Sequence, residues 1–147
     1  MTLIIREVEH GSPAYWATVA LRDSVLRQPL GLDFSAVELE AEKDSRHLAC
    51  YRGNRLVGCL VLCPHGDDVR MRQVAVVGDL QREGIGTAMV KYSETLARHM
   101  GYRRIILHAR HTAVPFYERL GYARFGSRFE EVKIPHWAMT KRLTQPE

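Results

Sequence analysis

The sequence predicts an α/β fold: a single mixed β-sheet with helices on both faces. Three observations carry this. Residues 71–100 read in succession as an apolar strand, a glycine-containing turn and an amphipathic helix. Alternating apolar segments bounded by turn residues recur along the rest of the chain, as strands do. Helical stretches with their own start and stop signals separate these strands, which gives the order β-α-α-β-β-β-α-β-α-β-β.

The first strand covers residues 2–9, with Leu3, Ile5 and Val8 facing inward. Ser12 and Pro13 start a helix, serine as cap and proline where its missing N–H costs nothing. That helix is expected to reach Arg27, with Trp16, Val19, Ala20 and Leu26 on its inner face, and to end at Pro29 and Gly31. Residues 35–43 form a second short helix, in which Ser35 and Glu38 have capping-box spacing. Residues 47–51 and 55–63 pair as a hairpin across Gly53-Asn54. A polar turn, 64–68, leads into the central strand at 69–77. The long helix that follows carries Ile85, Met89, Tyr92, Leu96 and Met100 at one-face spacing and stops at Gly101. The strand at 103–109 should lie parallel to the central one, because a helix joins them. A short helix at 112–120 places Ala113, Phe116, Tyr117 and Leu120 together, with Pro115 tolerated in its first turn. Two strands, 122–128 and 135–143, and a tail at 144–147 complete the chain.

With 147 residues and 16.8 kDa, one domain over 1–147 is expected. No apolar run approaches the ~20 residues that span a bilayer, and charge appears too early for a signal peptide. The odd set Cys50, Cys59 and Cys63 contains no CxxC pair. Buried reduced thiols and a cytoplasmic location are the expectation. The net charge of +4 is scattered among acidic residues, which argues against nucleic acid and fits a small polyanion. No histidine pair has ligand-like spacing with a supporting carboxylate, so no metal is expected.

Strand, glycine turn and helix N-terminus together aim free backbone N–H groups at one point, which favours a phosphate. A P-loop is excluded, because no Gly-Lys-Ser/Thr exists. A dinucleotide fingerprint is excluded as well: Met89 stands where a third small residue is needed, and no acidic residue closes a following strand.

Val74-Ala75-Val76 followed by Gln81-Arg82-Glu83-Gly84-Ile85-Gly86-Thr87 resembles the acetyl-CoA motif of the GNAT N-acetyltransferase superfamily. Downstream, Ala113, Phe116-Tyr117 and Leu120-Gly121-Tyr122 resemble its second element. The stretches around Leu21-Arg22 to Gly31 and Phe129-Glu130-Glu131 to Met139 are similar to a bacterial subgroup typified by ElaA and YjcF. Lys133 departs from it, standing where a glycine is usual.

The resemblance implies a splayed, mostly antiparallel sheet and direct attack of an amine on acetyl-CoA, without an acyl-enzyme. The amides of residues 82–87 would hold the pyrophosphate, Gln81, Arg82 and Thr87 adding side-chain contacts. Val74 and Val76 would pair with the pantetheine arm, and the N–H of Val76 or a neighbour would face the oxyanion. Tyr117 takes the superfamily's general-acid position, and its alternative is a core aromatic beside Phe116. Arg70, Met71 and Arg72 occupy the place where some members carry a basic glutamate. The base is therefore sought among His136, His47, Glu131 and Glu42. His136 is the most attractive, since histidine titrates near working pH; its alternative is a structural residue at the turn into the last strand. His108 reads as packing. Arg22 and Arg27 either are solvated or recognise a carboxylate or phosphate on the acceptor. The acceptor reads first as a small amine, then as a protein N-terminus or lysine. A sensor that binds acetyl-CoA without turnover is the reading from another class. Homodimers are common in the superfamily.

Overall fold

A computed structural model describes residues 2–144, so most of the expected C-terminal tail lies outside the described residues. Seven strands form one sheet in the order β1-β2-β3-β4-β5-β7-β6. They are β1 (Leu3–Val8), β2 (Arg46–Arg52), β3 (Arg55–His65), β4 (Asp68–Val76), β5 (Arg104–Arg110), β6 (Ala123–Glu131) and β7 (Ile134–Arg142). The helices are α1 (Pro13–Arg22), α2 (Ala36–Glu40), α3 (Ile85–His99) and α4 (Val114–Arg119). The predicted element order is thus the observed one. The chain divides into two compact units: one runs to Cys63 and includes Arg72–Ser93, the other takes Pro64–Met71 and the chain from Glu94 onward.

In the first unit, β1 pairs antiparallel with β2 and β2 with β3, the hairpin closing at Arg52↔Arg55 around Gly53. The central residues of β2 and β3 are buried on both faces, which explains their near-continuous apolar sequence. Ser12 caps α1 through the Tyr15 N–H, and Ser35 and Glu38 form the expected capping box on α2.

The inner face of α1 differs from the expectation. Tyr15, Thr18 and Arg22 are buried, whereas Trp16 is half exposed. Apolar periodicity places an arginine outside by default; here Glu42 neutralises Arg22 and draws it in. Beyond Arg22 the helix widens into a π turn at Asp23–Arg27 and a 3₁₀ turn at Gln28–Leu30, ended by Gly31 at φ 69°. The long helix agrees at Ile85 and Met89 but differs beyond them, because its buried face continues through Val90, Ser93, Glu94 and Ala97, with Tyr92 and Met100 exposed. Ser93 tolerates burial because its hydroxyl donates to the Met89 carbonyl (2.9 Å). Gly58 on β3 has no room for a side chain: a Cβ there would lie 2.8 Å from the Met89 methyl and 3.2 Å from Ile85 Cγ2. That close approach seats the first turns of α3.

In the second unit, β5 pairs antiparallel with β7 over seven residue pairs, and β7 with β6. The parallel β4–β5 ladder is short, Val69–Met71 against Ile105–Leu107, in strands of nine and seven residues. Gln73, two residues past its end, has φ 57°. The polar turn expected at 64–68 shrinks to Gly66-Asp67, because strand pairing continues to His65 and resumes at Asp68. β6 runs on to Glu131, and a two-residue turn joins it to β7 through Val132 and Lys133, both at positive φ (45° and 63°). A left-handed conformation costs a non-glycine residue about 1–2 kcal/mol. Gly101 (φ 86°) ends α3, its N–H donating to Arg98 and that of Tyr102 to Ala97, as in a Schellman motif.

Candidate active site

The β4–α3 connection has the geometry of an anion cradle. The Val77 N–H donates to the Val57 carbonyl (3.0 Å), tying the end of β4 to β3. A 3₁₀ turn, Gly78–Leu80, follows and buries Leu80. The Gln81 side chain donates back to the Val76 carbonyl (3.2 Å), so it staples the strand end to the helix entrance. Arg82 (φ 74°) and Gly84 (φ 85°) are both left-handed, and no atom lies within 4 Å of where a Gly84 Cβ would project. The Gly84 carbonyl accepts from the Ala88 N–H, which makes the amides of Ile85, Gly86 and Thr87 the first-turn donors of a 15-residue helix. That first turn carries no acidic residue, and Glu83 turns toward Arg52 (3.6 Å). An anion placed there would meet aligned donors and no acidic residue in the helix's first turn.

Tyr117 lies on α4, 8% exposed, edge-on to Phe116 and Tyr122 (ring centroids 5.0 and 5.7 Å). Burial pushes its phenol up to about 12, so at neutral pH it keeps its proton. The Tyr122 hydroxyl donates to buried Glu94 (2.9 Å), whose other oxygen accepts from Lys141 (2.9 Å).

His136 is on β7, 4% exposed, its ring stacked on Phe129. Its Nδ1 sits 2.7 Å from the Ile134 carbonyl, which accepts only from an N–H; Nε2 is then the nitrogen with the lone pair. That Nε2 is 3.7 Å from Glu131 Oε2. The other Glu131 oxygen is 3.2 Å from His108 Nδ1, and Arg70 donates to the same nitrogen at 2.8 Å. The structure thus brings Glu131 and His136 together, and adds two residues that the sequence did not mark.

Arg22 and His47 meet in a second, buried cluster. The carboxylate that Arg22 recognises belongs to its own chain: its two terminal nitrogens bind the two oxygens of Glu42, at 1% exposure, and Tyr15 donates to Glu42 Oε1 (2.6 Å). Burial raises the Glu42 carboxyl, but the bonds from Arg22 and Tyr15 outweigh it and hold the group below the usual range. His47 Nε2 donates to the Glu42 carbonyl (3.0 Å), while Nδ1 has no partner among the described residues. Arg27 donates to Glu38 (3.1 Å) and lies over the Phe34 ring, which the Arg22 guanidinium also faces. Neither arginine offers an unengaged guanidinium to an acceptor.

Burial holds the charged form of His47 back, ahead of the smaller opposing pull of Glu42. Its charging is therefore depressed on folding, so the unfolded chain binds the proton first as pH falls below about 6.5. Thermal unfolding should show stability falling between pH 6.5 and 5.5 by at most ~1.4 kcal/mol per pH unit from this group. His47→Gln should flatten that slope.

A family model described as an acetyltransferase (GNAT) domain matches residues 33–143. The chain belongs to the GNAT family. It is an acyl-CoA-dependent N-acetyltransferase. The uncharacterized N-acetyltransferase YjcF of Bacillus subtilis is 30% identical over 103 residues, 69% of this chain and 74% of that one. A putative N-acetyltransferase from Lactobacillus plantarum superposes with a TM-score of 0.84 at 25% identity, covering 98% and 100% of the two chains. Escherichia coli ElaA gives 0.79 at 21% identity, over 95% and 99%. A GNAT acetyltransferase from Elizabethkingia anophelis with acetyl-CoA bound gives 0.74 at 17% identity, over 96% and 98%.

In this GNAT enzyme the left-handed turn at Gly84 was readable from the local sequence, whereas the contacts of Arg70 and His108 with Glu131 were not. His108 reads in sequence as a strand residue, and Arg70 as the replacement for a base. Of these four residues, only His136 and Glu131 read as candidate bases, and they flank the turn whose usual glycine is Lys133. Among the described residues no helix is long and apolar enough to cross a membrane.

Proposed function

We propose that this GNAT domain transfers the acetyl group of acetyl-CoA directly to the primary amine of a small molecule. The observation that carries the cofactor half is the left-handed Arg82–Gly84 turn, which opens the start of α3 to a pyrophosphate. In this reading the amides of Ile85, Gly86 and Thr87 bind the phosphates, and Val74, Ala75 and Val76 present strand backbone to the pantetheine amides. Direct attack fits the thiols as well: burial pushes Cys59 up to about 12 and raises Cys50, so neither supplies a thiolate nucleophile.

The proton balance needs two groups. His136 Nε2 takes one proton from the incoming ammonium, and the freed lone pair forms the C–N bond. As the C–S bond breaks, Tyr117 protonates the leaving thiolate. The tyrosinate then takes the second proton that the nitrogen sheds, and His136 returns its proton to water.

The test is release of CoA thiol from acetyl-CoA with a panel of small primary amines, a peptide N-terminus and a lysine peptide. Turnover confined to small amines is expected. Turnover only on peptides overturns the small-molecule half, and tight acetyl-CoA binding with no thiol release on any amine overturns the enzyme reading in favour of a sensor.

A further inference from the structure

We propose that Glu131 is a positioning residue for the His136 base, and that Arg70 and His108 govern how much of its charge His136 receives. This rests on the reading of His136 as base and goes beyond it. The four groups come from four neighbouring strands, Arg70 from β4, His108 from β5, Glu131 from β6 and His136 from β7, all within the second unit. Pairing brings three of them close without opposing them: Glu131 opposes Ile134 across β6–β7 and His108 opposes Ala138 across β5–β7, each two residues from His136, while Phe129 and Arg110, a second cation, oppose His136 itself.

A guanidinium only donates, so at 2.8 Å from Arg70 the His108 Nδ1 must be an acceptor. A carboxylate only accepts, so at 3.2 Å from Glu131 Oε1 the same nitrogen must be a donor. Both contacts cannot be hydrogen bonds at once. While His108 accepts from Arg70, its Nδ1 has no proton to give Glu131, and the carboxylate's charge is left for His136 Nε2 (3.7 Å) and for Arg70 itself (3.8 Å). Once Nδ1 of His108 carries a proton, that charge is drawn to His108. One carboxylate thus faces two histidines and an arginine, and the full charge of Arg70 competes for it more strongly than a neutral His108 N–H does. The imidazolium formed on His136 during turnover is stabilised by the charge at Oε2, 3.7 Å from the nitrogen that takes the proton, while the Ile134 carbonyl on Nδ1–H holds the ring.

The prediction is one of opposite signs. Relative to the parent protein, Glu131→Gln removes the negative charge and should lower the pH at which His136 becomes charged; Arg70→Met removes a full cation, which outweighs the neutral N–H that His108 can then offer, and should raise it. NMR of the imidazole resonances reads this without any acceptor, and the acid limb of the thiol-release profile should move the same way. With an amine that turns over, Glu131→Gln should also lower kcat about tenfold with little change in KM for acetyl-CoA. Unmoved His136 titration in both variants, or shifts of the same sign, overturns the proposal. Should Glu131→Gln fail to fold, absence of an upward shift in Arg70→Met overturns it alone. Opposite shifts with no turnover on any amine leave the cluster standing and remove the acetyl-transfer reading instead.

Discussion

Tyr117→Phe should lower kcat for CoA thiol release by about 10²–10⁴-fold while leaving KM for acetyl-CoA nearly unchanged, the signature of an interaction used only in the transition state. The hydroxyl is the one atom removed, and the ring keeps its edge-on contacts with Phe116 and Tyr122. Because burial holds the phenol near 12, the donor stays protonated throughout the neutral range. Activity should not fall from loss of this proton until the pH approaches that value. A proton donor with so high a pKa is still competent here, since a departing thiolate that finds no donor must wait for water. Steady-state kinetics across pH decides the matter: an unchanged kcat at every pH would reduce Tyr117 to a packing residue.

Glu42→Ala should destabilise the protein by on the order of 3–5 kcal/mol, because it strands the Arg22 guanidinium at 1% exposure without its partner. It also removes the acceptor of the buried Tyr15 hydroxyl. Urea unfolding of the variant measures the loss. The paired replacement Arg22→Met with Glu42→Leu should be far milder, since it removes both charges and leaves no ion uncompensated. A Glu42→Ala cost below ~1 kcal/mol would mean that water reaches Arg22 and that the cluster is not sealed.

Much of the candidate site was legible because its signals are local. The glycine at 84 announces a positive φ, the strand before it and the apolar spacing after it announce a helix start, and Tyr117 follows at a recognisable spacing. The two charge clusters were not legible in the same way. Arg22 reads as a surface residue by every composition rule, and only Glu42, twenty positions later, explains its burial. His108 lies 23 residues from Glu131 and 38 from Arg70, so no short-range pattern links them. The second half of the inner face of α3 was misplaced because two polar residues, Ser93 and Glu94, and the small Ala97 occupy it.

By itself the sequence determined the starts and stops: Ser12-Pro13, the Ser35–Glu38 box, the Gly53-Asn54 hairpin, the turn at Gly84 and the stop at Gly101. These are settled within a few residues by backbone sterics and by which N–H groups need partners. Only the tertiary structure decided that β7 lies between β5 and β6, that Arg22 is buried, and that Glu131 is shared by two histidines. Strand order and charge pairing depend on groups distant in sequence, whose desolvation is favourable only once the partner is in place.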